Sequence, residues 1–323
     1  MKRTAIKRMG CLCLLAGVLT GCTGQRSSLD QAYSFDQSRM IAEETDSDQG
    51  RAAAFASDLC VVTTEPYEDD GVTAEAAAVF AVDGQTTVSS RNAFERLHPA
   101  STTKVMTALV AIKYGNLEDL VEVTEEAMVT EAGATLCGIQ PGDVLTMEQL
   151  LYGLMLPSGN DAGAAIAIHM SKNIEGFSKL MNEEAARLGA TGTHFTNPHG
   201  LTEAEHYTTA YDLYLIFNEA LKYEEFRIIT GSTVYPAKYQ NKDTGEVIKN
   251  WEGSNQFMNG KRETPDGLTV FAGKTGTTNA AGYCLVMASR DEQDREYISV
   301  VLKAGSRNEL YDNMTNIVRK IVN

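Results

Sequence analysis

From residue 101 to residue 114 the chain is apolar on nearly every face of a helix. Val105, Met106, Leu109, Val110 and Ile112 carry the bulk, and Ala108 and Ala111 fill the gaps. A helix without a polar face is buried inside a domain, and Gly115-Asn116 supplies its stop. A second apolar period opens at Thr146-Met147-Glu148-Gln149, a capping box, and runs through Leu156. Pro157 ends it, and a further helix resumes from Asp161 to Met170. Helical periods recur over Phe177 to Leu188 and over Thr209 to Leu221, the latter with a box-like start at Thr209 and Asp212. Asn308 to Val322 closes the chain as an amphipathic helix.

Strand patterns lie at both ends of this helical stretch. Ala74 to Val82 and Gln85 to Arg91 predict a hairpin around Asp83-Gly84. Thr269 to Thr277, Tyr283 to Ser289 and Tyr297 to Lys303 predict three strands, the last two joined by a charged turn. Leu117 to Gly142 is mixed, with short alternating pieces such as Leu120-Val121-Glu122-Val123, and Thr230 to Leu268 is polar and aromatic without a period that assigns it. Strands at the two ends with helices inserted between them predict a mixed α/β fold. No internal repeat is present.

The amino terminus has a different character. Lys2, Arg3, Lys7 and Arg8 precede an apolar run from Met9 to Leu19, too short for a permanent bilayer span. This is the pattern of an export signal over residues 1–21. Its end, Leu19-Thr20-Gly21-Cys22, resembles the bacterial lipobox, which implies that Cys22 is lipidated and becomes the first mature residue. Residues 22–57 are rich in Ser, Asp, Gln and Glu without an apolar period, and are expected to be a flexible tether. Such a coil spans on the order of 30–35 Å. The folded domain is then expected over 58–323.

Charge and cysteine content narrow the function. The 28 basic and 43 acidic residues leave a net charge of −15, and the signal removes four basic residues and no acid. Such a chain has no general attraction for nucleic acid. Cys11 and Cys13 leave with the signal; export allows a disulfide among Cys60, Cys137 and Cys284, with at least one left unpaired, while their apolar surroundings favour buried free thiols. The five histidines include no His-Glu-x-x-His, and His194 and His199 fall in a loop, so a zinc peptidase is not expected and no cofactor is implied.

The candidate chemistry starts at the buried helix. Ser101 and Lys104 are three residues apart and share one helix face. A lysine in a core is costly unless paired or neutral, so the two read as a nucleophile and its base. Ser158-Gly159-Asn160 sits in the break between two apolar helices, and Lys274-Thr275-Gly276 lies on a predicted strand. Alone, each would be a helix start, a helix break or a strand end. In this order they match the set S-x-x-K, S-D-N and K-T-G. Ser158 can relay a proton to a leaving amine. Asn160 can fix a substrate amide or hold Lys104. Lys274 supplies positive charge for a terminal carboxylate, with Thr275 or Thr277 as a hydroxyl donor. Gly276 allows close backbone approach.

With Pro99-Ala100 and Asn197-Pro198-His199-Gly200-Leu201, the chain from about Asp58 to Asn323 resembles the low-molecular-mass penicillin-binding proteins, the serine D-alanyl-D-alanine carboxypeptidases. Gly159 departs from the β-lactamase pattern, which has Asp there. The resemblance implies an antiparallel sheet with its first and last strands adjacent and covered by the terminal helix, beside an all-helical lobe that holds Ser158. It implies an oxyanion hole from the amides of Ser101 and Thr277. It implies stem peptides ending in D-Ala-D-Ala as substrate, with β-lactams as acylating inhibitors. Many relatives carry a further β domain and a membrane helix; here the lipid on Cys22 is expected to serve as anchor on the outer face of the cytoplasmic membrane or in the periplasm. Two alternatives remain: a β-lactamase, for which Glu175, Glu183 and Glu184 are the acids between Met170 and Leu201, and a penicillin-binding sensor without activity. The residues do not choose between water and an amine as acceptor; the resemblance favours water.

Overall fold

The computed structural model describes residues 58–60, 62 and 71–322. The signal, Cys22 and the tether lie outside them.

The central sheet is antiparallel, in the order β2-β1-β9-β8-β7. Its strands are β1 (Ala76–Ala81), β2 (Thr86–Arg91), β7 (Leu268–Thr278), β8 (Gly282–Asp291) and β9 (Glu296–Ala304). First and last strands are adjacent, as the resemblance implied, with Ala78 opposite Val300. The middle strands read as unbroken apolar runs because both faces are covered. Ile298, Val300 and Leu302 of β9 enter one core, while Tyr297 and Val301 enter the other. On β8, Cys284, Val286 and Ala288 face the first core and Leu285 and Met287 the second. Helix α7 (Arg307–Val322) closes the second core with Leu310, Tyr311, Met314 and Ile317.

The first core holds the helical lobe. It contains α1 (Lys104–Tyr114), α2 (Met147–Met155), α3 (Asn160–Ser171), α4 (Ile174–Arg187) and α5 (Ala210–Leu221). The capping box at Thr146 and Gln149 forms with both of its bonds. At α5 only half of the box is made: Thr209 accepts from the Asp212 amide. Asp212 instead accepts from the Thr193 hydroxyl. Contrary to the apolar pattern, which predicts a helix from Ser101, Ser101 does not begin the α-helix. Residues Ala100–Thr103 form a 3-10 turn and α1 starts at Lys104. Ala100 has φ of 49°, and Thr102 gives both its amide and its hydroxyl to the Pro99 carbonyl, which tightens the turn.

The lobe is not wholly helical. A second antiparallel sheet, β3-β4-β5-β6, runs beside it. It joins β3 (Leu120–Glu122) and β4 (Asp143–Thr146) to the hairpin β5 (Val234–Asn241) and β6 (Gly245–Glu252). This hairpin lies in the stretch that the apolar pattern left unassigned, and the short helix α6 (Glu224–Gly231) leads into it. The buried apolar positions of these elements are few: Phe226 and Ile229 on α6, Ala237 and Tyr239 on β5, Trp251 on β6. Cys60, Cys137 and Cys284 are buried free thiols, as expected.

Candidate active site

Lys104 is fully buried at the start of α1. Its Nζ lies 3.0 Å from Ser101 Oγ, 2.7 Å from Asn160 Oδ1 and 2.7 Å from the His199 carbonyl. Of the two roles open to Asn160, holding Lys104 is the one its carbonyl oxygen plays. Burial pushes the Lys104 pKa well below the usual lysine range; Lys274 adds in the same direction and Asp161 opposes. A neutral amine gives its two N–H bonds to Asn160 Oδ1 and the His199 carbonyl and keeps its lone pair for the Ser101 hydroxyl, so the group is placed to take a proton from Ser101.

The Ser158 loop is built to be rigid. Pro157 ends α2, and Ser158 has φ of 66°. A Cβ on Gly159 would stand 2.7 Å from Asp161 Oδ1, 2.8 Å from Cys137 Cβ and 2.8 Å from the Gly153 carbonyl. An aspartate there would require these neighbours to shift. Asp161, one residue beyond the motif and buried, accepts from the amides of Cys137, Gly138, Ile139 and Ala162. It ties the segment after Thr135 to the start of α3, where the Asn160 amide donates to the Thr135 carbonyl at 2.8 Å. The acid in the first turn of a helix was the available sequence signal.

Lys274 comes from β7 and is as buried as Lys104. Its Nζ donates to Ser158 Oγ at 2.9 Å and to the Thr275 carbonyl at 2.8 Å. Burial pushes its pKa down to about 7. The cation expected to meet a substrate carboxylate is therefore turned inward, toward the proton-relay serine. Arg307, at the start of α7, lines the cleft with Ser101, Ser158, Thr275 and Thr277 and is a permanent cation there. Sequence reasoning missed it because it sits at the end of a helix whose pattern speaks only of packing. Ser254, in the unassigned stretch, was also missed; its hydroxyl pairs with that of Thr275 at 2.5 Å.

β7 is an edge strand, so its outer backbone groups are free to meet the nucleophile turn. A Cβ on Gly276 would come within 2.8 Å of the Ser101 amide nitrogen and 3.0 Å of the Pro99 carbonyl. Gly276 is thus the residue that lets the strand lie against Ser101. Gly200 does the same from the other side: at φ of +90°, its Cβ would be 1.8 Å from the Ala100 carbonyl. Asn197 holds that loop by accepting from the amides of His199 and Gly200. Thr107 donates to the Pro198 carbonyl at 2.6 Å. His199 is neutral, its pKa lowered to about 3 by burial and then by Lys104.

Two clefts meet at Ser101. One, of about 240 Å³, is lined by Ser158, Ser254, Thr275 and Arg307. The other, of about 520 Å³, is lined by Glu131, Asn160, Leu201 and Thr278. Ser101, Thr135 and Thr277 belong to both.

Fold and site define a mixed α/β domain in which a serine hydroxyl stands against a buried lysine amine where two clefts meet. The chain belongs to the D-alanyl-D-alanine carboxypeptidase family, peptidase S11, which matches residues 62–306. It is 35% identical over 250 residues to the D-alanyl-D-alanine carboxypeptidase DacF of Bacillus subtilis (strain 168), covering 76% of this chain and 61% of that protein. Over 220 residues it is 33% identical to the D-alanyl-D-alanine carboxypeptidase of Streptomyces sp. (strain K15), covering 63% of this chain and 72% of the relative. The crystal structure of the Streptomyces K15 DD-transpeptidase superposes with a TM-score of 0.69 at 30% identity, covering 78% of this chain and 96% of the other.

Proposed function

We propose that this protein removes the terminal D-alanine from peptidoglycan stem peptides ending in D-Ala-D-Ala. The observation that carries the reading is the buried Lys104 amine, held between Ser101 Oγ, Asn160 Oδ1 and the His199 carbonyl. Neutral Lys104 takes the Ser101 proton as Oγ attacks the scissile carbonyl. The oxyanion is received by the amides of Ser101 and Thr277. The C–N bond breaks as the Ser158 hydroxyl gives a proton to the leaving amine, and Lys274, in contact with Ser158 Oγ, restores it. Arg307 receives the terminal carboxylate, a bidentate match for a guanidinium. Once Lys104 has released its proton to solvent and Lys274 has taken one up, water resolves the Ser101 ester with neutral Lys104 again as base. β-Lactams carry an activated amide beside a carboxylate and acylate the same serine.

The test is release of D-alanine and turnover of a β-lactam on one purified sample, with Ser101→Ala as control. D-alanine release with a persistent Ser101 adduct supports the reading. Rapid β-lactam turnover makes the protein a β-lactamase, and adduct formation without D-alanine makes it a sensor. Against the β-lactamase, Glu175, Glu183 and Glu184 line neither cleft. Glu184 is buried and held by Lys113 and Arg187. The acceptor is part of the same assay, since Streptomyces K15 proteins carry both the carboxypeptidase and the transpeptidase names. Free D-alanine with little cross-linked product is expected when water and an amine compete.

The anchor belongs to this reading. Export and lipidation at Cys22 would hold the enzyme on the outer face of the cytoplasmic membrane, or in the periplasm where an outer membrane exists. Cys22→Ala should move the protein to the soluble fraction. Unchanged membrane retention of that variant would count against the anchor alone.

A further inference from the structure

The two clefts give a bound peptide a direction. Arg307 and Ser254 belong to the smaller one. A peptide that delivers its terminal carboxylate there brings its scissile carbonyl to Ser101. The larger cleft, which shares Ser101, Thr135 and Thr277 with the smaller one, then offers the rest of its chain a path past Asn160 and Leu201.

That larger cleft contains one carboxylate and no cation among the described residues that line it. The carboxylate is Glu131, on an exposed loop whose turn is closed by the Ala134 amide donating to the Glu131 carbonyl at 3.1 Å. His199, the other titratable group in the wall, is buried and neutral at physiological pH, with its pKa lowered to about 3. The remaining polar groups, among them Thr135, Thr202, Thr278 and Asn279, are uncharged. A lone anion in a concave site, on a protein of net charge −15, favours a cationic group of the ligand.

We propose that Glu131 forms a subsite for the side-chain ammonium of the residue preceding D-Ala-D-Ala. The proposal rests on the carboxypeptidase reading and adds its substrate preference: stem peptides with a free primary amine are taken over those whose amine is already acylated, as it is in a cross-link. From the scissile carbonyl the one intervening residue spans roughly 5 Å to the Cα of the preceding residue, and a lysine-length side chain adds about 6 Å. The ammonium then lies on the order of 10 Å from Ser101, within a cleft of about 520 Å³.

The test uses two peptides, Nα-acetyl-L-Lys-D-Ala-D-Ala and its Nε-acetylated form, with D-alanine release as readout. The free amine should raise kcat/KM about fivefold at low ionic strength, the value of a solvent-exposed ion pair. Glu131→Gln should bring the ratio of the two peptides close to one, and Glu131→Lys should invert it. High salt should narrow it in the wild type. Equal kcat/KM for the two peptides in the wild type overturns the subsite. So does a Glu131→Gln variant that keeps the ratio while kcat falls for both, because Glu131 would then be activating water rather than binding the amine. If neither peptide releases D-alanine, the carboxypeptidase reading fails by itself. The subsite is then read from how well each peptide protects Ser101 against acylation by a β-lactam, and equal protection overturns it.

Discussion

Replacing Lys274 with Met should make the protein more stable and catalytically dead, with a stability difference that depends on pH. Lys274 is 1% exposed, and burial lowers its pKa from 10.5 to about 7. The unfolded chain binds a proton on this lysine below pH 10.5, and the folded protein does so only below about 7. Between those values the unfolded state holds more protons, so wild-type stability rises with pH. Above 10.5 the burial carries no charge penalty. As pH falls toward 7 the penalty grows by about 1.4 kcal/mol per pH unit, and below 7 it reaches about 5 kcal/mol. Met fills a similar volume without the charge. It forfeits the bonds to Ser158 Oγ and the Thr275 carbonyl, which costs about 1–2 kcal/mol. The expected net result is a gain of about 3 kcal/mol at pH 6. That gain shrinks by about 2 kcal/mol between pH 7 and 9. Removing Lys274 also relieves Lys104 of a neighbouring cation, which acts in the same sense. The assay is urea unfolding of both proteins at pH 6, 7, 8 and 9. A stability difference that does not change with pH, or a variant weaker than wild type at pH 6, would refute the account of Lys274 as a buried, penalised cation.

Three further outcomes are expected. Lys104→Arg should lower the rate of Ser101 acylation by a β-lactam by about 10²–10⁴, because a guanidinium cannot take the proton; near wild-type adduct formation by intact mass would remove Lys104 as base. Gly159→Asp should lower stability by about 1–3 kcal/mol, since its Cβ meets atoms of Asp161, Cys137 and Gly153 at 2.7–2.8 Å; an unchanged Tm would mean that the loop can move. Arg307→Leu should raise KM for a peptide with a free terminal carboxylate by about tenfold or more. The preference for that peptide over its carboxyl amide should collapse with it, and a preserved preference would return the carboxylate to another group.

Much of the chain was legible without coordinates because its signals are local. The hairpin at Asp83-Gly84, the capping box at Thr146 and the terminal amphipathic helix each rest on residues within one or two turns of each other. The three motifs were legible for a different reason. A buried lysine beside a serine is expensive, and so is a glycine or serine held at a helix break, so such residues stand out against an apolar background. The stretch from Thr230 to Leu268 lacked this contrast. The strand β5 alternates, yet its polar face is long and its buried face is only Ala237, Tyr239 and Asn241, so its partner Trp251 was needed to define it.

Residue types and order along the chain were sufficient to name Ser101, Lys104, Ser158, Asn160 and the Lys274 segment as one site. Tertiary structure alone decided the direction in which each side chain works. Whether Lys274 faces substrate or Ser158 depends on which side of β7 is covered, and that is set by the lobe packed against the strand. Arg307 and Glu131 reach Ser101's clefts from segments with no motif, brought there by the closing of α7 over the sheet and by the loop before Thr135. Burial, and with it the pKa of both lysines, is a property of the assembled core: no local sequence carries the desolvation that lowers them.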